Sequence, residues 1–524
     1  MSGHGGYGGR RWSRVWWCSW PLLLLLPALQ AAETDLRCPD RDALPAGDED
    51  PALSWVRVDW PRAIADCLPP LAHARGTRWP LLLWESGPPE AWTAGRIASS
   101  AARGVVPGIR LKPEYLVLAR ELQRQGLPVI AIDARGWDSP WPYHLAGDAD
   151  TWALRYPGLA SVPEKWRHQP DPTRFTGWKI SADRLRDALT AFKDAGITID
   201  AVWLDYENQP AVLDFEAVLA ADPASHGIPP KVLANRAVFE RYRRTLWQQL
   251  ISTYVAAPVR ELYPAAAVTN WVTTLSTEDH PVLSWEGRPH PPVGGTLFTH
   301  TNPVAYGVDS AYARVSRELA GAEVPADWIF LYLLLQQVSA DAANRQRHAP
   351  ELGSLVWVAR KVDHGPEKGV AQMSRSAYRE ALRHLWLRGV DGMAVFNPHG
   401  PGQMVHQLTE VMDAQAAYEE LLTYGAFLDE GKVLNFAIPR ADTPGILWSG
   451  RLLEDRAVIR TYNPTGQKKT LVLEPWPGMP VTLTLAPGGE TRLLERIEET
   501  GRVAVERPRP FQGCVSSTRQ RMLP

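Results

Sequence analysis

The segment AVWLDYENQP, residues 201–210, contains two carboxylates that are separated by a single residue, Asp205 and Glu207. The four apolar residues that precede them are typical of a buried β-strand. Because side chains alternate between the two faces of a strand, both carboxylates are predicted to share one face with Trp203. At that spacing the carboxylates repel each other, and repulsion with partial burial raises the pKa of one of them. A carboxyl group that stays protonated near neutral pH can act as a general acid.

Cleavage of a glycosidic bond requires a pair of carboxyl groups of this kind. One group protonates the leaving oxygen, and the other stabilises the positive centre that develops on the sugar. The pair therefore predicts a glycoside hydrolase in which Glu207 is the general acid/base and Asp205 stabilises or orients the substrate.

Three other interpretations of these carboxylates stay open. They could be ordinary side chains that cap a helix or meet solvent after a strand. A direct displacement could pair Glu207 with another carboxylate, such as Glu85 or Asp309. The chain could also be a non-catalytic carbohydrate-binding surface protein that is built on a degenerate glycosidase fold.

Polar and aromatic side chains recur at the ends of the other predicted strands, where substrate contacts are expected. Together with Trp203, the predicted substrate-binding residues are Trp84, Asp133, Asn270, Trp271, Tyr306, Asp309 and Asn397. Each of them alone is better explained as a hydrogen-bonded rim residue or a core aromatic. Their recurrence at strand after strand favours a substrate site. Arg360 and His364 are predicted to be charges on the same rim.

The elements that must position these residues alternate between short apolar runs and helix-like segments from about Trp79 to Pro398. Continuous apolar strands separated by helices predict a parallel sheet that is covered by helices. About seven such units over roughly 300 residues favour a (β/α)8 barrel of the TIM type, whose active sites form at the carboxyl ends of the strands. One helix is predicted to begin at a capping Ser181 and to end at Gly196.

The pattern changes near Leu428, where short alternating runs are separated by Gly, Pro, Asn and Asp. Such runs predict an antiparallel β-sandwich. The predicted fold class is therefore α/β, with the barrel followed by a small all-β sandwich domain. Within the sandwich, Trp448 and Trp476 fit either exposed positions or the strand core. The predicted boundaries are a signal peptide at 1–32, an N-terminal extension at 33–78, the catalytic barrel at 79–427, the sandwich at 428–496 and a disordered tail at 497–524.

The first residues have the order of a secretory signal. Arg10, Arg11 and Arg14 precede an apolar run at 15–29, and small residues follow near Ala31. This order predicts export to a secreted, periplasmic or cell-surface location. A retained N-terminal anchor is the alternative.

The cysteines agree with export. Cys18 would leave with the signal, so Cys38 and Cys67 could form a disulfide in an oxidising compartment, with Cys514 left over. The net charge of −2 provides no broad basic surface for nucleic acid. No cysteine or histidine spacing resembles a metal site, and no motif for nucleotide binding or acyl transfer occurs. We therefore expect no cofactor or metal, no membrane span beyond the signal segment, and a polysaccharide or oligosaccharide as the partner.

Two families of barrel glycoside hydrolases share short motifs with this sequence. The stretch IDAVWLDYE resembles the chitinase-family strand, in which acidic residues recur and the last is the acid; Asp200, Asp205 and Glu207 match three of its positions. Trp203 stands where that family has another Asp. The stretches LLLWESGPPEAW, IAIDARGWDSPWPY and LDYENQP are similar to strand ends of the hyaluronidase family, the first two in the same order.

The resemblance covers most of the region from Trp79 to Pro398 and implies a mechanism. Glu207 would be the general acid/base, and Asp205 would orient the 2-acetamido group of the substrate, which attacks the anomeric carbon in place of an enzyme nucleophile. Trp271 and Tyr306 would lie near the aromatic positions that hold this group. These families place an aromatic residue at the end of the final strand, where the present sequence has Phe396 and Asn397.

Overall fold

The computed structural model describes residues 38, 59–133, 175–205, 215–220, 228–283, 296–363, 370–396, 404–497 and 502–506. Its first part alternates strands with helices. The strands are β1 (Leu81–Leu83), β2 (Val105–Pro107), β3 (Ile130–Asp133), β4 (Ala201–Leu204), β5 (Ala267–Asn270), β6 (His300–Thr301), β7 (Ala305–Val308), β8 (Gly353–Asp363) and β9 (Gly392–Val395). The helices are α1 (Trp60–Cys67), α2 (Ala94–Ala101), α3 (Leu116–Arg124), α4 (Thr176–Asp194), α5 (Phe215–Ala220), α6 (Arg236–Ile251), α7 (Ala257–Leu262), α8 (Asp309–Glu318), α9 (Ala326–His348), α10 (Arg375–Leu387), α11 (Met404–Leu422) and α12 (Gly425–Glu430).

The strands β1 to β9 pair in parallel, as their continuous apolar runs predict. β1 lies between β2 and β9, β4 lies between β3 and β5, and β8 pairs with β6, β7 and β9. A parallel bridge between Ile109 and Ala131 links the end of β2 to β3. The backbone N–H of Thr299 donates to the carbonyl oxygen of Val268 at 3.0 Å, which links β5 to the start of β6. The pairings therefore lead from β1 along to β9, which pairs with β1.

Alternate residues of these strands meet in one apolar cluster, the strand core. Its buried members are Leu82, Trp84, Val106, Ile130, Ile132, Ala201, Trp203, Ala267, Leu355, Trp357 and Ala394. Each large side chain removed from water in this way stabilises the fold by about 2 kcal/mol. Since the strands are parallel and share this core, their carboxyl ends lie at the same end of it.

Helix α4 begins earlier than the sequence predicts. It starts at Thr176, so Ser181 lies inside the helix and the predicted N-cap is wrong. Trp178 explains the extension, because it is buried and its ring lies 6.1 Å from that of Tyr254. The predicted end is confirmed: Gly196 follows the helix with a φ of 74°, a conformation that glycine adopts at low cost.

The C-terminal part is antiparallel, as its alternating pattern predicts. Its strands are β10 (Lys432–Val433), β11 (Leu447–Leu453), β12 (Arg456–Asn463), β13 (Lys469–Trp476), β14 (Met479–Leu485), β15 (Gly488–Ile497) and β16 (Arg502–Glu506). One sheet has the order β10-β11-β12-β15-β16, and β13 pairs with β14. Both contribute to one buried cluster. The strand β16 lies in the tail that was predicted to be disordered, so that prediction is wrong for these five residues, which pair with β15.

Buried charges hold the antiparallel sheet against helix α10. Arg460 on β12 donates to both carboxylate oxygens of Glu380, at 2.7 and 2.5 Å. Arg388, which follows α10, is fully buried and donates to the hydroxyl oxygen of Ser449 and the carbonyl oxygen of Trp448. At the other end of the chain, Cys38 and Cys67 form the predicted disulfide.

Candidate active site

Asp205 lies where the sequence predicts it, directly after β4. Trp203, two residues earlier on the strand, points into the strand core. Because side chains alternate along a strand, the side chain of Asp205 is directed toward the same interior. Only 6% of the surface of Asp205 is exposed. The next strand ends beside it, because the backbone N–H of Trp271 donates to the carbonyl oxygen of Leu204 at 2.9 Å. A buried carboxylate and an indole ring therefore follow neighbouring strands.

Several predicted site residues lie outside the described part of the chain. Glu207, Asn397 and His364 belong to this group. Asp133 ends β3 as predicted, but its side chain is also outside the description. The roles predicted for these residues stay predictions.

Four aromatic rings form a floor at this end of the strand core. The ring of Trp357 lies 4.4 Å from Trp84, 5.5 Å from Phe396 and 6.5 Å from Trp203 between centroids. Trp84, Trp203 and Trp357 are each exposed by 5% or less, so these three rings are buried in the strand core. Trp84 and Trp203 were both predicted to bind substrate, and that role stays a prediction for each of them. Trp357 and Phe396 were not among the predicted site residues.

Two partly exposed rings rise beside this floor. The indole N–H of Trp271 donates to the hydroxyl oxygen of Tyr306 at 2.7 Å. The ring of Tyr306 stacks on Phe396 with centroids 5.3 Å apart. After Tyr306 the register between β7 and β8 shifts, an irregularity that is frequent next to active sites because it redirects side chains. Trp271 and Tyr306, which were both predicted to bind substrate, are thus in contact with each other.

Tyr306 also borders a solvent-open cleft on the side of helices α8 and α9. Arg314, Tyr332 and Gln337 are among the other lining residues. The cleft has an empty volume of about 440 Å³, which includes open solvent. Tyr306 therefore stands between this cleft and the aromatic floor.

The backbone is strained directly after Trp271. Val272 has a φ of 53°, and a β-branched residue is rarely found there because its side chain clashes with the backbone. Such strain costs on the order of 1–3 kcal/mol and persists only where surrounding contacts enforce it. One such contact comes from Asn270, whose side-chain amide donates to the carbonyl oxygen of Trp271 at 2.9 Å. Asn270 is fully buried, and this hydrogen bond makes it part of the turn. Its contact with substrate stays a prediction.

A second carboxylate, Glu85, follows β1 on the same rim. It accepts a hydrogen bond from Arg110 at 2.9 Å, and the Arg110 guanidinium lies 5.1 Å from the centroid of the Trp84 ring. The ion pair is partly exposed. Arg110 therefore neutralises Glu85 at the edge of the floor.

The other residues that the sequence singled out have hydrogen-bond partners outside the aromatic floor. Asp309 begins helix α8, and its carboxylate accepts the backbone N–H of Ser310, which suits a negative charge at a helix N-terminus. Arg360 is not a rim charge: it is buried, and it donates to the carbonyl oxygen of Met373 at 3.0 Å. Asp200 lies at the opposite end of β4 from Asp205, where it accepts the backbone N–H of Val129 at 2.8 Å. Burial raises the pKa of Asp200.

No group of three or more His, Cys, Asp and Glu residues that could hold a metal occurs in the part of the chain that the structure describes. Within those same ranges, no helix has the length and apolar character needed to cross a bilayer.

Similarity to known proteins is confined to structure. No protein-family model and no curated protein matches the chain. An alpha-amylase from Anoxybacillus aligns with a TM-score of 0.38 and 12% identity over 76% of this chain and 79% of that chain. A cyclic alpha-maltosyl-(1→6)-maltose hydrolase from Arthrobacter globiformis gives 0.37 and 12% over 72% and 78%. Alpha-L-fucosidase isoenzyme 2 from Paenibacillus thiaminolyticus gives 0.40 and 13% over 68% and 51%. At TM-scores this low, the likenesses carry no argument about this chain.

Proposed function

We propose that this chain is a glycoside hydrolase that cleaves O-glycosidic bonds in a polysaccharide. The observation that carries the proposal is a carboxylate beside an aromatic rim. Asp205 follows the residue whose carbonyl oxygen binds the backbone of Trp271, and Trp271 donates to Tyr306. Flat amphipathic rings suit the faces of sugars. A neighbouring carboxylate stabilises the positive charge that develops when a glycosidic bond breaks.

We assign the parallel strands to a closed (β/α)8 barrel whose active site lies at their carboxyl ends. The pairing of β1 with β9 and the shared strand core support this assignment. The antiparallel region serves as a packing partner of the barrel. Trp476 is buried in its core and Trp448 packs against that core, so these rings are engaged within the region itself.

Glu207 is assigned as the general acid/base and Asp205 as the residue that orients the reacting group. The resemblance of this strand to chitinases and hyaluronidases supports a polysaccharide that contains N-acetylhexosamine. In such a substrate the 2-acetamido oxygen attacks the anomeric carbon while Glu207 protonates the leaving oxygen. Trp271 and Tyr306 would border the acetamido group. Glu85 is a weaker candidate than Asp205 for the carboxylate that works with Glu207, because Arg110 already binds Glu85.

We place the protein outside the cytoplasm, exported by its N-terminal segment. The basic, apolar and small residues of that segment support export. The bond between Cys38 and Cys67 suits an oxidising compartment.

The test is release of reducing ends from a panel of chitin, hyaluronan, peptidoglycan and plant glucans. The purified protein is compared with Glu207→Gln and with Asp200→Asn as the matched control. Asp200 is a carboxylate on the same strand, and an asparagine there can still accept the Val129 N–H. We expect activity on at least one polysaccharide, abolished by Glu207→Gln and kept by Asp200→Asn.

Full activity of Glu207→Gln would refute the catalytic assignment. Saturable binding of a polysaccharide by the unmodified protein and by Glu207→Gln, without any release of reducing ends, would instead identify a carbohydrate-binding protein. Retained binding by an inactive Glu207→Gln supports the proposal, because a general acid contributes to the transition state more than to ground-state binding.

A further inference from the structure

Helix α9 carries a row of polar side chains that bind the backbone of one loop. We call residues 273–283 the anchored loop. Asn344 donates to the carbonyl oxygens of Leu275 and His280 at 2.9 and 2.7 Å. Asp341 accepts the backbone N–H of Leu275 at 2.8 Å. Gln336 donates to the carbonyl oxygen of Pro281 at 3.0 Å, and Gln337 binds that of Leu283.

These side chains are buried, where apolar residues would be the usual choice. Asp341 and Asn344 have no exposed surface. A buried polar group destabilises the fold unless it is hydrogen-bonded, so each of these residues depends on its partners. Asp341 has two more, the hydroxyl of Thr301 and the guanidinium of Arg345. The network therefore ties the backbone of the anchored loop to α9, and through Asp341 also to Thr301 on β6.

The anchored loop begins next to the strained residue of the candidate site. Val272 separates it from Trp271, which is fixed on its other side by the backbone of β4 and by Tyr306. A strained backbone persists only where contacts on both sides over-determine it. Release of the loop would let Val272 return to an ordinary conformation, and the direction of the Trp271 side chain would change with it.

We propose that Asn344 and Asp341 are positioning residues that hold Trp271 against Tyr306 by anchoring the loop. They lie on a helix and act on the site through backbone carbonyl and N–H groups. The orientation of the indole follows from the structure alone, whereas its consequence for sugar binding rests on the proposed function.

The experiment reads the indole environment directly and needs no ligand. The full chain is labelled with 5-fluorotryptophan, and the ¹⁹F resonance that disappears in Trp271→Phe is assigned to Trp271. Asn344→Leu is the test variant, because leucine has a similar size and makes none of the three hydrogen bonds of Asn344. Ser339→Ala is the matched control: Ser339 is also buried on α9, but it binds Arg388.

We expect the Trp271 resonance to shift or broaden in Asn344→Leu and to stay unchanged in Ser339→Ala. An unchanged resonance in a folded Asn344→Leu protein would overturn the proposal, and so would an equal shift in both variants. If Asn344→Leu does not fold, Gln336→Met removes one contact to the same loop and is judged by the same criterion.

The variant Asp341→Asn distinguishes the anchoring of the loop from a general effect on the stability of the fold. An asparagine can still accept the Leu275 N–H, but it weakens the contact with Arg345. We expect lower stability with an unchanged Trp271 resonance, and a shift as large as that of Asn344→Leu would contradict the proposed role.

Kinetics on a cleaved polysaccharide add a second readout. Asn344→Leu should raise KM about tenfold with little change in kcat, the size expected when a binding contact is misplaced. Absence of activity in the unmodified protein would count against the proposed function, while the ¹⁹F result would still decide the positioning role.

Discussion

Trp271 and Tyr306 are joined by a hydrogen bond of 2.7 Å from the indole N–H to the phenolic oxygen. Tyr306 in turn stacks on Phe396. Trp271 and Phe396 directly follow β5 and β9, and Tyr306 lies within β7. One hydrogen bond and one ring contact therefore connect three strands that are distant in sequence. Rings that are already held in place lose little conformational freedom when a ligand arrives, which favours affinity.

Tyr306→Phe should weaken ligand binding more than it weakens the fold. The change removes the acceptor for the Trp271 indole N–H but keeps the ring that stacks on Phe396. Because Trp271 is partly exposed, water can replace the lost partner, and we expect the free energy of unfolding to fall by about 1 kcal/mol or less. Affinity for an oligosaccharide of the cleaved polymer should fall about three- to tenfold by calorimetry. Tyr312→Phe, on helix α8, is the control, and equal losses in both variants would contradict the role of the hydroxyl.

Stability should fall as the pH drops below about 6.5, with His300 as one cause. Burial lowers the pKa of His300 to about 4, although the nearby Asp391 opposes the shift and Arg345 adds to it. The ordinary pKa near 6.5 applies to the unfolded chain, which therefore binds more protons between these two values. The stabilisation is present above pH 6.5 and is lost as the pH falls to about 4, a change of roughly 3 kcal/mol.

Urea unfolding at pH 7, 5.5 and 4.5 measures this dependence. His300→Gln should flatten the decline, whereas His348→Gln, at the exposed end of α9, should keep it. A decline in His300→Gln as steep as that of the unmodified protein would exclude His300 as its source.

Breaking the buried ion pair between the antiparallel sheet and α10 should be costly. Burial would raise the pKa of Glu380, but its hydrogen bonds with Arg460 and His384 outweigh that effect and hold the pKa well below its usual range. Arg460→Met leaves this carboxylate without its main partner, and we expect a loss of about 3–5 kcal/mol in the free energy of unfolding.

The matched control is Arg440→Met, which removes an exposed pair. The side chains of Arg440 and Asp442 are 76% and 46% exposed, so this change should leave the free energy of unfolding nearly unchanged. Adding Glu380→Gln to Arg460→Met should restore part of the lost stability. If the two arginine variants unfold at the same denaturant concentration, the buried pair does not stabilise the fold.

Loss of the disulfide should lower stability through the unfolded state. Cys38 and Cys67 are 29 residues apart in sequence, and closing a loop of that size stabilises by about 3–4 kcal/mol in the chain-entropy model. Cys67→Ser and Cys38→Ser should show the same loss, and the double variant no more than either alone. Thermal unfolding measures the loss. Additive losses would mean that the two cysteines act independently.

Local patterns predicted the parts of the site that depend on one strand. The period-two alternation in AVWLDYENQP is a property of adjacent residues, so it correctly directed Trp203 into the strand core and located Asp205 at the end of β4. The turn from buried apolar residues to polar ones likewise located the ends of β3 and β5.

Patterns of adjacent residues do not predict contacts between segments that are distant in sequence. The stacking of Trp357 on Phe396 depends on the pairing of β8 with β9, although the inward position of Trp357 in GSLVWVARKV was a usable signal. The role of Asn344 depends on a loop that precedes it by more than sixty residues. Arg360 was placed on the rim because charge usually marks exposure, whereas a backbone carbonyl of a later segment satisfies it inside.

The pairing of β1 with β9 has a consequence for how the chain acquires its structure. Leu82 and Leu83 find their partners at Ala394 and Val395, so the edge of β1 stays open until almost the whole parallel region has left the ribosome. Contacts between such distant segments form slowly, because the chain loses the entropy of a long loop before the contacts stabilise it. Until then β1 presents unpaired backbone groups to other chains. Any truncation before β9 should therefore yield aggregates, however many of the preceding helices it retains.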